Sequence, residues 1–194
     1  MSRIIYYYQT FTGLQKILYK GTPVTHIHLS SIHFGENKKG KYIHLNDQFP
    51  SDPIFESVWI DLQKAYKLGI KITLMIGGAG GGYAALFENF ELYYIMLKKT
   101  LINRPYITGI DLDIEEPVTL ENCKMLMNRI KSDFPDFRIS LAPVQSSLET
   151  DRVGLSGFKY SDLYNSPEGT LIDYFNGQFY SDYSLTAFQN CLKY

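Results

Sequence analysis

Short apolar stretches alternate along the chain with segments whose apolar residues recur every three or four positions. The short stretches are typical of β-strands, and the periodic segments are typical of helices that bury one face. Regular alternation of the two predicts a parallel sheet covered by helices. Six strands are predicted in this way: Arg3 to Gln9, Thr25 to His33, Lys71 to Ile76, Tyr106 to Ile114, Phe137 to Ala142 and Asp173 to Tyr180.

Three helices are predicted between these strands. The first lies between Pro53 and Gly69, the second follows a glycine-rich run, and the third follows Thr119, whose hydroxyl is suited to capping a helix N-terminus. Residues 37–41 predict a solvated turn, and residues 146–166 predict a long loop over the carboxyl edge of the sheet. The apolar helical positions are Phe55, Val58, Trp59, Leu62, Tyr66 and Leu68; Leu86, Phe90, Tyr93, Tyr94 and Leu97; and Leu120, Cys123, Met127, Ile130 and Phe134.

Length and composition predict a single folded domain. The chain has 194 residues, of which 45% are hydrophobic and 20% are charged, so it has enough apolar side chains for a sizeable core. The formal net charge is -1. Neither nucleic acid nor a membrane surface is therefore an expected partner.

Cysteine usage and the N-terminal segment bear on the cellular compartment. The two cysteines, Cys123 and Cys191, predict neither a disulfide framework nor a zinc motif. The apolar start of the chain becomes polar at Gln9 and Thr10, too early for a signal peptide or a membrane span. We therefore expect the cytoplasm as the default location and leave the compartment otherwise open.

The sharpest chemical feature is the acidic end of the fourth predicted strand, from Gly109 to Pro117. Because side chains alternate across a strand, Asp111, Asp113 and Glu115 share one face. Carboxylates about 6.5 Å apart repel each other by roughly 2.5 kcal/mol at an effective dielectric near 20. That energy is close to ~2 pKa units, so we expect one carboxyl to keep its proton near neutral pH. Glu115, nearest the carboxyl end of the strand, is the predicted general acid.

Two other interpretations of the acidic strand remain open from the residue types alone. Carboxylate oxygens are the ligands that hard cations prefer, so Asp111, Asp113, Glu115 and Glu116 could hold a divalent ion for a phosphate-processing enzyme. A solvated acidic edge is the second interpretation. The alternation of these acids with apolar residues argues against simple solvation.

The glycine run from Gly77 to Gly82 does not fit a phosphate-binding loop. A dinucleotide motif would need glycine where Tyr83 stands, and a Walker motif would need lysine after Gly82. The run therefore either lets a ligand approach the backbone closely or forms a flexible loop. His26 and His28 share one face of the second strand, but they lack a third metal ligand at motif spacing, which favours hydrogen-bonded polar residues inside the fold.

The acidic strand resembles the active-site signature of family 18 glycoside hydrolases, the chitinases and endo-N-acetylglucosaminidases. Gly109, Asp111, Asp113 and Glu115 match their Asp-Gly-x-Asp-x-Asp-x-Glu pattern, and Thr108 replaces its first acid. Three other stretches are similar to elements of the same family. Met75 to Gly78 is similar to a Ser-x-Gly-Gly element, but Met75 stands in place of a serine that supports the acidic strand. Leu141 to Pro143 is similar to the fifth-strand element, and Gln178 to Tyr180 is similar to a sixth-strand Gln-x-Tyr element.

The resemblance implies a TIM-type (β/α)8 barrel that hydrolyses β-1,4 glycosidic bonds in N-acetylglucosamine-containing, chitin-like glycans. The acetamido oxygen of the substrate would attack the anomeric carbon with overall retention, so neither a metal nor a cofactor is implied. The implied catalytic roles are protonation of the glycosidic oxygen by Glu115, binding of the acetamido N–H by Asp113, support of Asp113 by Asp111, and a hydrogen bond from Tyr180 to the acetamido carbonyl. The implied sugar contacts are Gln178, Gly77, Gly78 and Tyr6.

Chain length predicts that this barrel is incomplete. A (β/α)8 barrel takes ~250 residues, so residues 1–194 are expected to form one family 18-like catalytic domain of about six parallel strands that lacks the last two strand–helix units. Open sheet edges would result, and self-association through them is expected. The tryptophan of the family's final strand would also be missing, because Trp59 lies in a helical pattern. A non-catalytic chitinase-like carbohydrate-binding protein, or a truncated fragment of the enzyme, is therefore the alternative.

Overall fold

One sheet organises the computed structural model, which describes residues 2–180 and 184–192. Its strands are β1 (Ile5–Tyr8), β2 (His26–Asn37), β3 (Gly40–Leu45), β4 (Lys71–Gly77), β5 (Ile107–Asp113), β6 (Arg138–Leu141) and β7 (Tyr174–Phe175). Six of them pair in parallel in the order β1-β2-β4-β5-β6-β7, and β3 pairs antiparallel with β2.

Helices connect these strands on the outer side of the sheet. In the described part of the chain they are α1 (Glu56–Lys67), α2 (Tyr83–Glu88), α3 (Phe90–Ile102), α4 (Leu120–Asp133), α5 (Gln145–Glu149), α6 (Tyr160–Tyr164) and α7 (Leu185–Cys191). Thr119 caps α4 as predicted, since its Oγ1 accepts a hydrogen bond of 3.1 Å from the backbone N–H of Asn122. Among the described residues, no helix has both the length and the apolar content needed to cross a lipid bilayer.

The hydrophobic core lies between the sheet and the helices. Side chains on one face of each strand pack against one face of the longer helices, as the two periodicities predict. Burial of this apolar surface is the main force that holds helices and sheet together. Members of the cluster include Leu29, Ile72, Leu74, Ile110, Leu112 and Ile139 from the strands and Leu62, Leu97, Met127 and Ile130 from the helices.

The opposite face of the sheet is polar and concave. The Tyr7 hydroxyl on β1 lies 2.8 Å from a carboxylate oxygen of Asp111 on β5, and the side-chain amide of Asn176, just beyond β7, lies 2.9 Å from the same hydroxyl. Strands that are distant in sheet order therefore touch across the inner face, which requires strong curvature. The six parallel strands form an incomplete (β/α)8 barrel, and the predicted fold class is confirmed.

The hairpin of β2 and β3 was not predicted. The second strand extends past His33 to Asn37, and β3 returns beside it with Ile43 and Leu45 buried. The lysine-rich segment predicted as a turn does connect the two, at residues 38–39. Polar and aromatic residues dominate this hairpin, so its apolar alternation is too weak to separate it from a loop.

Three other predicted boundaries were wrong. The sixth strand is continuous only over Tyr174–Phe175, because Pro143 has no N–H and interrupts the ladder beyond β6, which resumes as a single bridge between Val144 and Gln178. Residues 146–166 contain most of α5 and all of α6 rather than one long loop. The single helix predicted after the glycine run is two helices, separated at Asn89, which has the non-helical dihedral angles φ -132° and ψ 52°.

Candidate active site

The three predicted acids lie at the carboxyl end of β5 and face the concave side of the sheet. Asp111 and Asp113 belong to the strand and are buried, with exposed fractions of 0% and 6%. Glu115 lies two residues beyond the strand end and is partly exposed. The strand therefore carries the acids from the closed interior of the barrel out to its rim.

Asp111, the innermost acid, is held by side chains from two other strands. Its Oδ1 accepts a hydrogen bond of 2.5 Å from Ser140 on β6, and its Oδ2 accepts one of 2.8 Å from Tyr7 on β1. His28 Nδ1 lies 3.1 Å from Oδ2, but its N–H direction is not aligned for a hydrogen bond. Burial, followed by the negative charge of Asp111, raises the pKa of Tyr7 far above its ordinary value, so Tyr7 remains a hydroxyl donor.

The two outer acids share one amide donor. Gln178 Nε2 lies 2.8 Å from Asp113 Oδ1 and 3.3 Å from Glu115 Oε1, and it also lies 2.8 Å from the carbonyl oxygen of Ala142. The sequence predicted Gln178 as a sugar contact. In the structure its amide bridges the acids, so it orients both of them.

The sequence predicted one protonated carboxyl without assigning it to Asp113, and named Glu115 as the general acid; in the structure it is Asp113 whose pKa is raised. Burial, then the charges of Glu115 and Asp111, raise the pKa of Asp113 to about 8, and the hydrogen bond from Gln178 opposes this shift. Repulsion between neighbouring acids was the predicted cause, but burial is the larger one. Near neutral pH the proton therefore resides mainly on the middle acid of the row.

Tyr6 does not face the concave side of the sheet, and its contact with a sugar stays a prediction. Its ring lies 6.2 Å from that of Tyr8, whose ring packs against Phe11 in the outer layer. Alternation on β1 sends Tyr7 to the inner face instead. Three consecutive tyrosines give no polar–apolar contrast, so the sequence alone could not identify the inward one.

The glycine loop approaches the acidic strand closely. Gly77 and Gly78 adopt φ values of 99° and 79°, which favour glycine, and the N–H of Gly78 donates to the carbonyl oxygen of Asp113 at 2.8 Å. A Cβ on Gly77 would lie 2.1 Å from that same carbonyl oxygen. The first two glycines therefore fix the distance between loop and acidic strand, and their contact with a sugar stays a prediction.

A pocket of about 250 Å³ opens beside Asp113. Tyr180, expected to hold the acetamido carbonyl, lies at its mouth and is 79% exposed. Asn176, which the sequence did not single out, also lines the pocket and donates to Tyr7. The residues around the pocket are Tyr7, Gln9, Met75, Asp113, Ala142, Asn176, Gly177, Gln178 and Tyr180.

Glu116 is turned away from the other acids. Its carboxylate accepts hydrogen bonds from the backbone N–H groups of Tyr83 at 2.6 Å and Ala84 at 3.3 Å, at the start of α2. The four-carboxylate cation site is therefore not formed. Within residues 2–180 and 184–192, no group of three or more His, Cys, Asp and Glu side chains is arranged to hold a metal ion.

The two inward histidines of β2 have side-chain partners. His28 Nε2 lies 3.2 Å from the Tyr174 hydroxyl, and His26 Nδ1 lies 2.8 Å from Thr25 Oγ1. Burial, followed by the positive charge of Arg138, lowers the pKa of His26 to about 4, so His26 is neutral at physiological pH. Both histidines are therefore hydrogen-bonded polar residues of the barrel interior.

Comparison with known proteins gives relatives among solved structures. No protein-family model matches the sequence, and no curated protein matches it. Chitinase ChiC from Aspergillus fumigatus superimposes with a TM-score of 0.89 at 31% identity, over 99% of this chain and 73% of that one. A fungal endo-β-N-acetylglucosaminidase from glycosyl hydrolase family 18 gives 0.84 at 34% identity, also over 99% and 73%.

A more distant structure agrees in fold. The GH18 chitinase from Pseudoalteromonas aurantia superimposes with a TM-score of 0.75 at 20% identity, over 99% of this chain and 76% of that one. The two fungal enzymes are each more than 30% identical to this chain, which spans nearly three quarters of their length. Together with the acid row on β5, these similarities show that the chain belongs to glycoside hydrolase family 18, with glycoside hydrolase function at the level of the family.

Proposed function

We propose that this protein hydrolyses β-1,4 glycosidic bonds in N-acetylglucosamine-containing glycans by substrate-assisted, retaining catalysis, with residues 1–194 as one catalytic domain. The observation that carries the proposal is the bridge of Gln178 between Asp113 and Glu115, at the open end of a row whose innermost acid is fully buried. Names of the two fungal relatives, a chitinase and an endo-β-N-acetylglucosaminidase, support the substrate class.

In the proposed first step, Glu115 at the rim acts on the glycosidic oxygen, and Asp113 in the middle of the row binds the acetamido group. The proton that Asp113 holds in the free site passes to Glu115, and Glu115 donates it to the glycosidic oxygen while the substrate's acetamido oxygen attacks the anomeric carbon and the bond to the leaving sugar breaks. Asp113 accepts the acetamido N–H, for which its carboxyl has an acceptor oxygen in either protonation state. Tyr180 lines the same pocket and is proposed to donate to the acetamido carbonyl.

The second step returns the site to its starting state. Glu115, now a carboxylate, takes a proton from a water molecule that opens the oxazolinium ring at the anomeric carbon. Two displacements at one carbon give overall retention. Gln178, which contacts both Asp113 and Glu115, keeps the orientation of the two carboxyl groups fixed through both steps.

The substitution Glu115→Gln tests the proposed acid. The amide keeps the shape of the side chain but has no proton of suitable acidity, so we expect kcat on a chitooligosaccharide to fall by ~10²–10⁴-fold. Binding of the same oligosaccharide, measured by calorimetry, should change little. A variant that turns over like the wild type would refute the assignment of Glu115.

A non-catalytic carbohydrate-binding role is the second candidate. The observation that favours it is Met75, which stands at the strand position facing Asp111 where a family element has serine. Reducing-end release and oligosaccharide binding, measured in one sample, separate the two functions. Binding without release, in wild type and in Glu115→Gln alike, would support the binding protein and contradict hydrolysis.

A further inference from the structure

Asp111 is a wholly buried carboxylate flanked by two different neighbours. The strand register pairs Asp111 with Met75 on β4 and with Ser140 on β6. A thioether has no hydrogen to donate. Met75 is itself an acceptor, since Ser30 Oγ donates to its sulfur at 3.0 Å. The position facing Asp111 on β4 is therefore unable to support the carboxylate.

Support comes from the other side of the acidic strand. Ser140 Oγ donates to Asp111 Oδ1 at 2.5 Å, and this serine is only 1% exposed, so water does not compete for its hydroxyl. Tyr7 holds the second oxygen of the same carboxylate. A hydrogen bond to a charged, buried group is stronger than one between neutral groups because the low local dielectric strengthens it.

We propose that Ser140 is a positioning residue for the reaction, which supplies to Asp111 from β6 the hydroxyl that Met75 does not supply from β4. The inference rests on the proposed function, because Asp111 serves that reaction only through Asp113. Ser140 holds the side chain of Asp111 in one rotamer. The fixed negative charge, in turn, faces Asp113 two residues along the strand.

The link from Ser140 to the reacting groups is electrostatic. The charge of Asp111 is one of the causes that raise the pKa of Asp113, after burial and the charge of Glu115. Loss of the Ser140 hydroxyl removes one of the two hydroxyl donors that fix the carboxylate of Asp111. The charge of Asp111 is then no longer held at one distance from Asp113, and the orientation of Asp113 toward the acetamido group is less well defined.

A pair of isosteric substitutions isolates the hydroxyl. Ser140→Thr keeps the donor and Ser140→Val removes it, while both add a similar branched side chain suited to a strand. We expect Ser140→Val to lower kcat on a chitooligosaccharide by at least about ten-fold relative to Ser140→Thr, with KM nearly unchanged. Ser147→Ala is the control, because Ser147 is equally buried and its hydroxyl has no hydrogen-bond partner among residues 2–180 and 184–192.

The decisive experiment restores a hydroxyl donor to Asp111 from β4, on the other side of the acidic strand. Met75→Ser places a hydroxyl at the position that faces Asp111 on β4, so adding it to Ser140→Val should return most of the lost kcat. A loss of packing alone would not be repaired by a smaller residue on another strand. Equal kcat in the Thr and Val variants, or no recovery in the double variant, would overturn the proposal.

A measurement without turnover separates this inference from the proposed function. The carboxyl carbon of Asp113 is titrated by ¹³C NMR, with Asp111, Glu115, Tyr7 and His28 as the neighbouring ionisable groups. Ser140→Val should lower the apparent pKa of Asp113 by at least about half a unit relative to Ser140→Thr. If the wild type releases no sugar but this difference is seen, only hydrolysis is refuted. Identical titrations in both variants would refute the role of Ser140 whatever the activity.

Discussion

The protonation of Asp113 makes the stability of the fold depend on pH. Its pKa of about 8 in the folded protein lies above its ordinary value of 3.8. Between those two values the folded state binds one more proton than the unfolded state. Stability contributed by the protonated group is therefore complete at low pH and is lost as pH rises toward 8.

Replacement of Asp113 by asparagine should remove this dependence. The free energy of unfolding of Asp113→Asn, relative to wild type, is expected to increase from pH 4 to pH 8 and then to level off, with an upper bound of about 5 kcal/mol. Urea unfolding at several pH values measures it. Ser147→Ala, which changes no ionisable group, serves as the control. A difference that stays constant across this range would mean that Asp113 is not the protonated acid.

At the scale of elements, the loop after β5 and the start of α2 hold each other. Gly82, the residue before α2, has φ 75° and offers no side-chain cap, and Glu116 supplies the missing acceptor from across the site. A Cβ on Gly82 would lie 2.0 Å from the carbonyl oxygen of Phe34 in β2. One wall of the active site is thus formed by the packing of the glycine loop against β2 and against the segment that contains Glu116.

We expect Glu116→Ala to lower the free energy of unfolding by about 1 kcal/mol, since two backbone N–H groups lose their acceptor. Glu116→Gln should lower it less, because an amide oxygen remains. Thermal unfolding would show a decrease of roughly 2–4 °C for the alanine variant. Glu121→Ala is a matched control on an exposed acid in the first turn of α4. Equal melting temperatures for Glu116→Ala and wild type would contradict the capping role.

For the molecule as a whole, the outer strands β1 and β7 end the curved sheet. Exposed apolar side chains lie beside both of them: Ile4 at β1, Leu185 and Phe188 on α7, and Leu192 directly after α7. A groove of about 380 Å³ runs between β7 and α7. Open strand edges next to apolar surface are typical sites of association.

Self-association through these edges remains a prediction, and Phe188 offers a test. Phe188 is 50% exposed and lines the groove beside β7. We expect sedimentation velocity to show concentration-dependent association of the wild type and at least about ten-fold weaker association of Phe188→Glu. Ile54→Glu, at an exposed apolar position before α1, is the control. A wild type that stays monomeric at all concentrations would contradict this expectation.

The sequence by itself determined the features that depend on local periodicity. Alternation placed Asp111 and Asp113 on one face of a strand, and helical spacing located α1 and α4 to within a few residues. These patterns follow from the geometry of a single element, so neighbouring residues are enough to read them. The motif from Gly109 to Glu115 added the family, because its acids match a specific spacing.

Only the tertiary structure decided which side chains meet these acids. The residues that reach the site are Tyr7 from β1, Ser140 from β6 and Asn176 from the end of β7, whereas Tyr6 does not reach it. The curvature of the whole sheet sets their distances. The same is true of the proton on Asp113, because burial, its largest cause, depends on every strand around it. Periodicity fixes the face on which a residue lies, whereas contacts across a barrel depend on how the strands curve together, which no local pattern encodes.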